Sequence, residues 1–136
     1  MEIANYVSRG GHKVTPGEAE AFRQQLPALK VKVEEIDAPE YPKLRRRLRL
    51  LMELFEDVLD GEYVKLPYVA FAEVVFALAY VFRDNDIIPD SVPGMGLADD
   101  ASIVGAVIVR HEAALSAYAA TKGVSWSEVS ADSVRG

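Results

Sequence analysis

Apolar residues recur at helical spacing through Leu44, Leu48, Leu51, Met52, Phe55, Val58 and Leu59, with Arg45, Arg49, Glu53, Glu56 and Asp57 on the opposite side. This pattern predicts an amphipathic helix over residues 41–59, ended by Asp60-Gly61. A second segment, residues 67–82, is apolar nearly all round except for Glu73. Such a pattern marks a helix buried among others, and it is too long for a typical strand. A third long helix is expected over residues 99–122, with Asp99 or its neighbour as N-cap and Gly123 as its stop.

Shorter signals fill in the rest. Thr15-Pro16-Gly17-Glu18 reads as a helix start, with Thr15 as N-cap, Pro16 at the first helical position and Glu18 closing a capping box. That helix should reach about Leu26, and Pro27 opens another short helical segment before Asp37-Ala38-Pro39. Residues 1–14 contain Gly10-Gly11 and few periodic apolar positions, and are expected to be a loose leading segment. Residues 124–136 read as a polar, fraying tail anchored only by Trp126. The expected fold is all-α: a compact bundle of four to five helices in one domain over residues 1–136, with an ordered Asp/Pro/Gly-rich loop before the last long helix.

Length and composition agree with one hydrophobic core, since 136 residues with 50% hydrophobic and 26% charged side chains suit a globular domain. The absence of cysteine removes disulfides, thiolate metal sites and cysteine nucleophiles. A net charge of −6 argues against nucleic acid as a partner. No apolar run reaches the roughly 20 residues of a membrane-spanning helix, and the first residues lack a signal-peptide core, so a cytoplasmic location is expected.

Candidate chemistry concentrates in the segment RDNDIIPDSVPGMGLADD, residues 83–100, read as a loop. Asp84, Asp86, Asp90, Asp99 and Asp100 offer oxygen ligands for a divalent cation such as Mg²⁺ or Ca²⁺. An EF-hand is excluded, because Pro89 occupies the glycine position and no Glu falls at the twelfth. Capping of turns and of the last helix is the structural alternative for these carboxylates, and it is the reading we favour. His111 shares a helix face with Asp100, Val104, Val107, Leu115 and Tyr118, but lies about 16 Å along the axis from Asp100, too far to share an ion.

Two charges sit on otherwise apolar faces. Arg47 falls near Leu51, Leu54 and Val58, and Glu73 interrupts the most apolar helix. Glu73 is either part of a narrow exposed stripe or a buried carboxylate paired with Arg47, since unpaired burial would be too costly.

The run AYVFRDNDIIPDSVPGMGLADDA, residues 79–101, resembles the YkvA family, a bacterial domain of unknown function. The elements carrying the resemblance are Tyr80, Asp86, Ile88, Pro89, Asp90, Pro93, Gly96, Asp99 and Asp100. With the Leu- and Arg-rich helix upstream it spans residues 41–115. Many relatives have Ser-Pro where this chain has Arg83-Asp84. The resemblance implies a helical fold and, for many members, membrane association, and it supplies no activity.

No nucleotide fingerprint, Ser-His-Asp order or paired-histidine motif is present. The leading expectation is a non-enzymatic module that binds a protein partner or forms a homo-oligomer. One alternative is a metal-dependent hydrolase using Asp86, Asp90, Asp99 and Asp100, assisted by His111 or Glu73. The other is peripheral membrane contact through the basic helix 43–55, where Lys43, Arg45, Arg46, Arg47 and Arg49 flank apolar residues.

Overall fold

The computed structural model describes the backbone of residues 2–87 and 95–130, with side chains over 2–83 and 97–130. Helices account for the regular structure: α1 (Ile3–His12), α2 (Pro16–Phe22), α3 (Leu26–Glu34), α4 (Leu44–Leu59), α5 (Tyr68–Ile87), α6 (Met95–Arg110) and α7 (Glu112–Thr121). Two 3-10 turns, Arg23–Gln25 and Trp126–Glu128, complete the order. The all-α class follows, with no strand among the described residues.

Local chemistry sets several boundaries. Thr15 and Glu18 form the expected reciprocal capping box, the Glu18 amide donating to the Thr15 hydroxyl at 3.1 Å and the Thr15 amide to the Glu18 carboxylate at 3.0 Å. Gly61 and Gly123 take φ of 76° and 72° after α4 and α7, a left-handed conformation that terminates helices without a Cβ clash.

The largely apolar helix α5 is central: it packs against α1, α2, α3, α4 and α6. Val74, Ala77, Leu78 and Val81 on α5 are fully buried, together with Leu48, Leu51, Leu54 and Phe55 of α4. Phe55 stacks on Phe71 at 6.0 Å between ring centroids. Such aromatic pairs add to the stabilisation from apolar area alone.

Four expectations need correction. Residues 3–12 form helix α1, not a loose segment, because Val7 and Gly11 are buried against the core. The last long helix is two: the chain turns by 88° between the Leu97–Arg110 and Glu112–Thr121 stretches, and the helix count rises accordingly above four or five. The expected loop over residues 83–100 is helical at both ends, since α5 runs to Ile87 and α6 starts at Met95. Asp99 and Asp100 therefore lie inside α6 and do not cap it. Finally, the tail is held beyond Trp126. Val129 is buried, Arg47 donates to the carbonyls of Val129 and Ser130 at 2.6 and 2.9 Å, and Lys43 donates to Ser130 at 2.9 Å.

The α4–α7 contact contains a partly buried polar link. The Tyr118 hydroxyl, on α7, donates to Asp57 of α4 at 2.5 Å, and the Lys122 ammonium lies 3.0 Å from the same carboxylate. Burial pushes Asp57 up, but the hydrogen bonds from Tyr118 and Lys122 outweigh it and hold the carboxylate below its ordinary range. Removing the hydroxyl with Tyr118→Phe is expected to cost about 2 kcal/mol in urea unfolding, the magnitude for a hydrogen bond to a charged group. A loss below about 0.5 kcal/mol would mean that Lys122 alone satisfies Asp57.

Candidate functional site

Helix α1 approaches α5 through two adjacent glycines. A Cβ on Gly10 would lie 2.2 Å from the Phe76 ring, and one on Gly11 would lie 2.6 Å from Glu73 Cγ and 3.3 Å from Glu73 Cα. Only a residue without a side chain permits this approach. The two glycines mark two neighbouring features: a buried ionic cluster beneath α1 and an open groove beside it.

The cluster is centred on Glu73, which is 2% exposed. Arg110, the last residue of α6, grips it with Nε at 2.8 Å from Oε1 and Nη2 at 2.9 Å from Oε2. His111, at the break between α6 and α7, places Nε2 2.8 Å from Oε1. Burial pushes the Glu73 carboxyl up, yet the hydrogen bonds from Arg110 and His111 more than offset this and keep its pKa below the usual carboxylate range. The fork-to-carboxylate geometry is the strong, directional form of such a pair.

Glu73 is thus a buried, paired carboxylate, but its partners are Arg110 and His111 and not Arg47. The reason is geometric. Arg47 extends from α4 towards the carbonyls of Val129 and Ser130 and passes 3.6 Å from the Cβ position of Gly105, whereas the bend after α6 delivers residues 110 and 111 to Glu73.

The groove lies between α1, α2 and α5 and encloses about 740 Å³. Phe22, Val75, Phe76 and Ala79 form its apolar floor, and Tyr6 packs edge-on to Phe76 with ring centroids 5.5 Å apart. Arg9, Lys13 and Arg83 line it with positive charge. Glu18 also lines it, but its carboxylate is engaged in the Thr15 capping box. Sequence reading missed this groove, because its residues come from three helices and form no linear motif. The signal available in the sequence was Arg83, a charge closing the most apolar segment.

Of the motif residues, Asp86 lies in the last turn of α5 and Gly96 in the first turn of α6. Pro89 and Asp90, and the Asp86 side chain, lie outside the described residues. Asp99 is exposed on α6 and Asp100 is buried one residue later, so these two neighbours point to different surroundings. Among the described residues, no three of His, Asp and Glu come close enough together to hold a metal ion.

The basic residues of α4 have the following surroundings. The apolar face of α4 is buried, Arg45 donates to the carbonyl of Ile36, Arg47 to those of Val129 and Ser130, and Arg49 grips Glu34 at 2.5 and 2.7 Å. Arg46 is exposed on the same helix. No single described helix is long and apolar enough to cross a membrane, although the bent pair formed by α6 and α7 reaches that length and composition when taken together.

Residues 70–106, from α5 into α6, match the family model described as Protein of unknown function (DUF1232). The chain is also 26% identical over 76 residues to a protein of Bacillus subtilis (strain 168), Uncharacterized membrane protein YkvA, an overlap covering 56% of this chain and 72% of that protein. Both matches support the YkvA-like resemblance. No solved structure matches the chain.

Proposed function

We propose that the chain is a non-enzymatic binding module and that the groove between α1, α2 and α5 is its binding face. The observation carrying this reading is the groove itself, about 740 Å³ with an apolar floor and a basic rim. That volume lies in the range of small-molecule sites, which are apolar with a few placed polar groups. The expectation of a protein partner or second copy is thereby narrowed to an occupant small enough to enter. Glu73 and His111, either of which would assist the aspartates in the hydrolytic reading, are turned to one another and to Arg110. Their arrangement supports a structural clamp over a general acid and base.

The test uses the neutral dye Nile red, whose emission rises on entering an apolar site. Saturable binding of one dye per chain is expected, weakened roughly tenfold or more by Ala79→Trp or Ala21→Trp, either of which fills the groove. Circular dichroism checks that each variant stays folded. Equal binding by both variants would remove the groove as the binding face.

A second reading is attachment to an anionic bilayer. The similar Bacillus subtilis protein is described as a membrane protein, and the α6–α7 pair has the apolarity of a span. Sedimentation with phosphatidylglycerol vesicles, compared with phosphatidylcholine vesicles, tests it. Pelleting with neither would count against it.

A further inference from the structure

We infer that the groove holds a single-chain anionic amphipath: one alkyl chain along the apolar floor, ending in a carboxylate or phosphate held by Arg9, Lys13 and Arg83. This rests on the reading of the groove as a binding face and adds the chemistry of its ligand.

The first argument is charge. The chain carries a net −6, yet three cations from two helices, Arg9 and Lys13 at the end of α1 and Arg83 in α5, converge on one groove. Most other arginines among the described residues are held internally: Arg23 by Glu20 and Asp60, Arg45 and Arg47 by main-chain carbonyls, Arg49 by Glu34, and Arg110 by Glu73, while Arg46 stands alone and exposed on α4. The side chains of Arg9, Lys13 and Arg83 make no hydrogen bond or ion pair among the described residues. The nearby acid, Glu18, is turned to the start of its own helix. The rim therefore offers guanidinium and ammonium donors that no group among the described residues satisfies, the arrangement that recognises an oxyanion through charge-assisted hydrogen bonds.

The second argument is shape and polarity. Phe22, Val75, Phe76 and Ala79 give a continuous apolar floor, and Gly10 lets α1 lie directly over the Phe76 ring. A purely polar anion would leave this floor wet, and a neutral hydrocarbon would leave the cations unused. An alkyl chain with an anionic end satisfies both. The volume of about 740 Å³ accommodates one such chain and is far smaller than the footprint of a folded partner.

The test measures displacement of Nile red from the full chain by dodecanoate below its critical micelle concentration, against dodecanol and dodecyltrimethylammonium. One-to-one displacement is expected, with dodecanoate roughly tenfold or more tighter than either. The Arg9→Gln, Arg83→Gln double variant should lose most of that preference while dodecanol affinity is unchanged. Added salt should weaken dodecanoate alone.

If Nile red binds but dodecanoate is no tighter than dodecanol, the ligand class is overturned and the binding face survives. If Nile red itself fails to bind, the binding-face reading falls. Anionic vesicles form the last arm. Binding to phosphatidylglycerol vesicles without binding of monomeric dodecanoate would overturn the proposal in favour of a bilayer surface.

Discussion

Replacing Arg110 with methionine is expected to cost about 3 kcal/mol of folding stability at neutral pH, the low end of what breaking a buried ion pair costs. The side chain of Arg110 is itself 30% exposed, which places the effect at that end. Its removal leaves Glu73, 2% exposed, with a negative charge and only His111 to hold it. The complementary change, Glu73→Gln, should cost less, since the freed guanidinium can turn towards water.

The two residues make a pH prediction with a defined sign. The folded-state pKa of Glu73 lies below its unfolded value, so its ionised form stabilises the fold above about 4.3, the ordinary glutamate value. That contribution is lost as pH falls through the folded value. Urea unfolding of the wild type and Arg110→Met should therefore differ most at pH 7, with the difference shrinking as the solution is acidified. A difference that stays constant down to pH 3 would show that Arg110 acts through packing and not through the Glu73 charge.

The second large effect concerns Gly11. In an exposed helix, glycine to alanine stabilises by up to about 1 kcal/mol. Here the new methyl would meet Glu73 Cγ at 2.6 Å and the α5 backbone at 3.3 Å, so α1 must move away. Gly11→Ala is expected to destabilise by about 2 kcal/mol despite the better helix propensity, and Gly11→Val by more, in the range for overpacked cores. Because the nearest atom belongs to Glu73, the penalty of Gly11→Ala should shrink in a Glu73→Ala background. Such non-additivity is what contacting residues show. Additive losses would place the strain elsewhere in α1.

These two sites also show where sequence reading succeeds and where it stops. The capping box at Thr15, the apolar face of α4 and the buried character of α5 were legible because each depends on neighbours within a turn or two. The burial of Glu73 was legible only as one of two alternatives. Its partners were not, because Arg110 and His111 reach it through a bend marked by neither glycine nor proline.

Gly10-Gly11 misled for the opposite reason. Low helix propensity suggested a loose segment, but the glycines are there for closeness to Phe76 and Glu73, a requirement invisible without the partner helix. Arg47 was recognised as a cation on an apolar face. Its acceptors are carbonyls of Val129 and Ser130, more than eighty residues downstream in the chain, and no periodicity connects them.

The bend at His111 has a mechanical consequence. Drawn out as one rod, residues 97–121 would extend about 37 Å at the helical rise, more than the roughly 30 Å of a hydrocarbon slab. Folded over by 88°, the same stretch becomes two struts of about 21 Å and 15 Å, neither of which reaches across. The elbow lies beside the ionic clasp of Glu73, Arg110 and His111. The clasp fixes the vertex of this corner, and the Tyr118 link to Asp57 fixes its far arm against α4, so the short strut is braced at both ends.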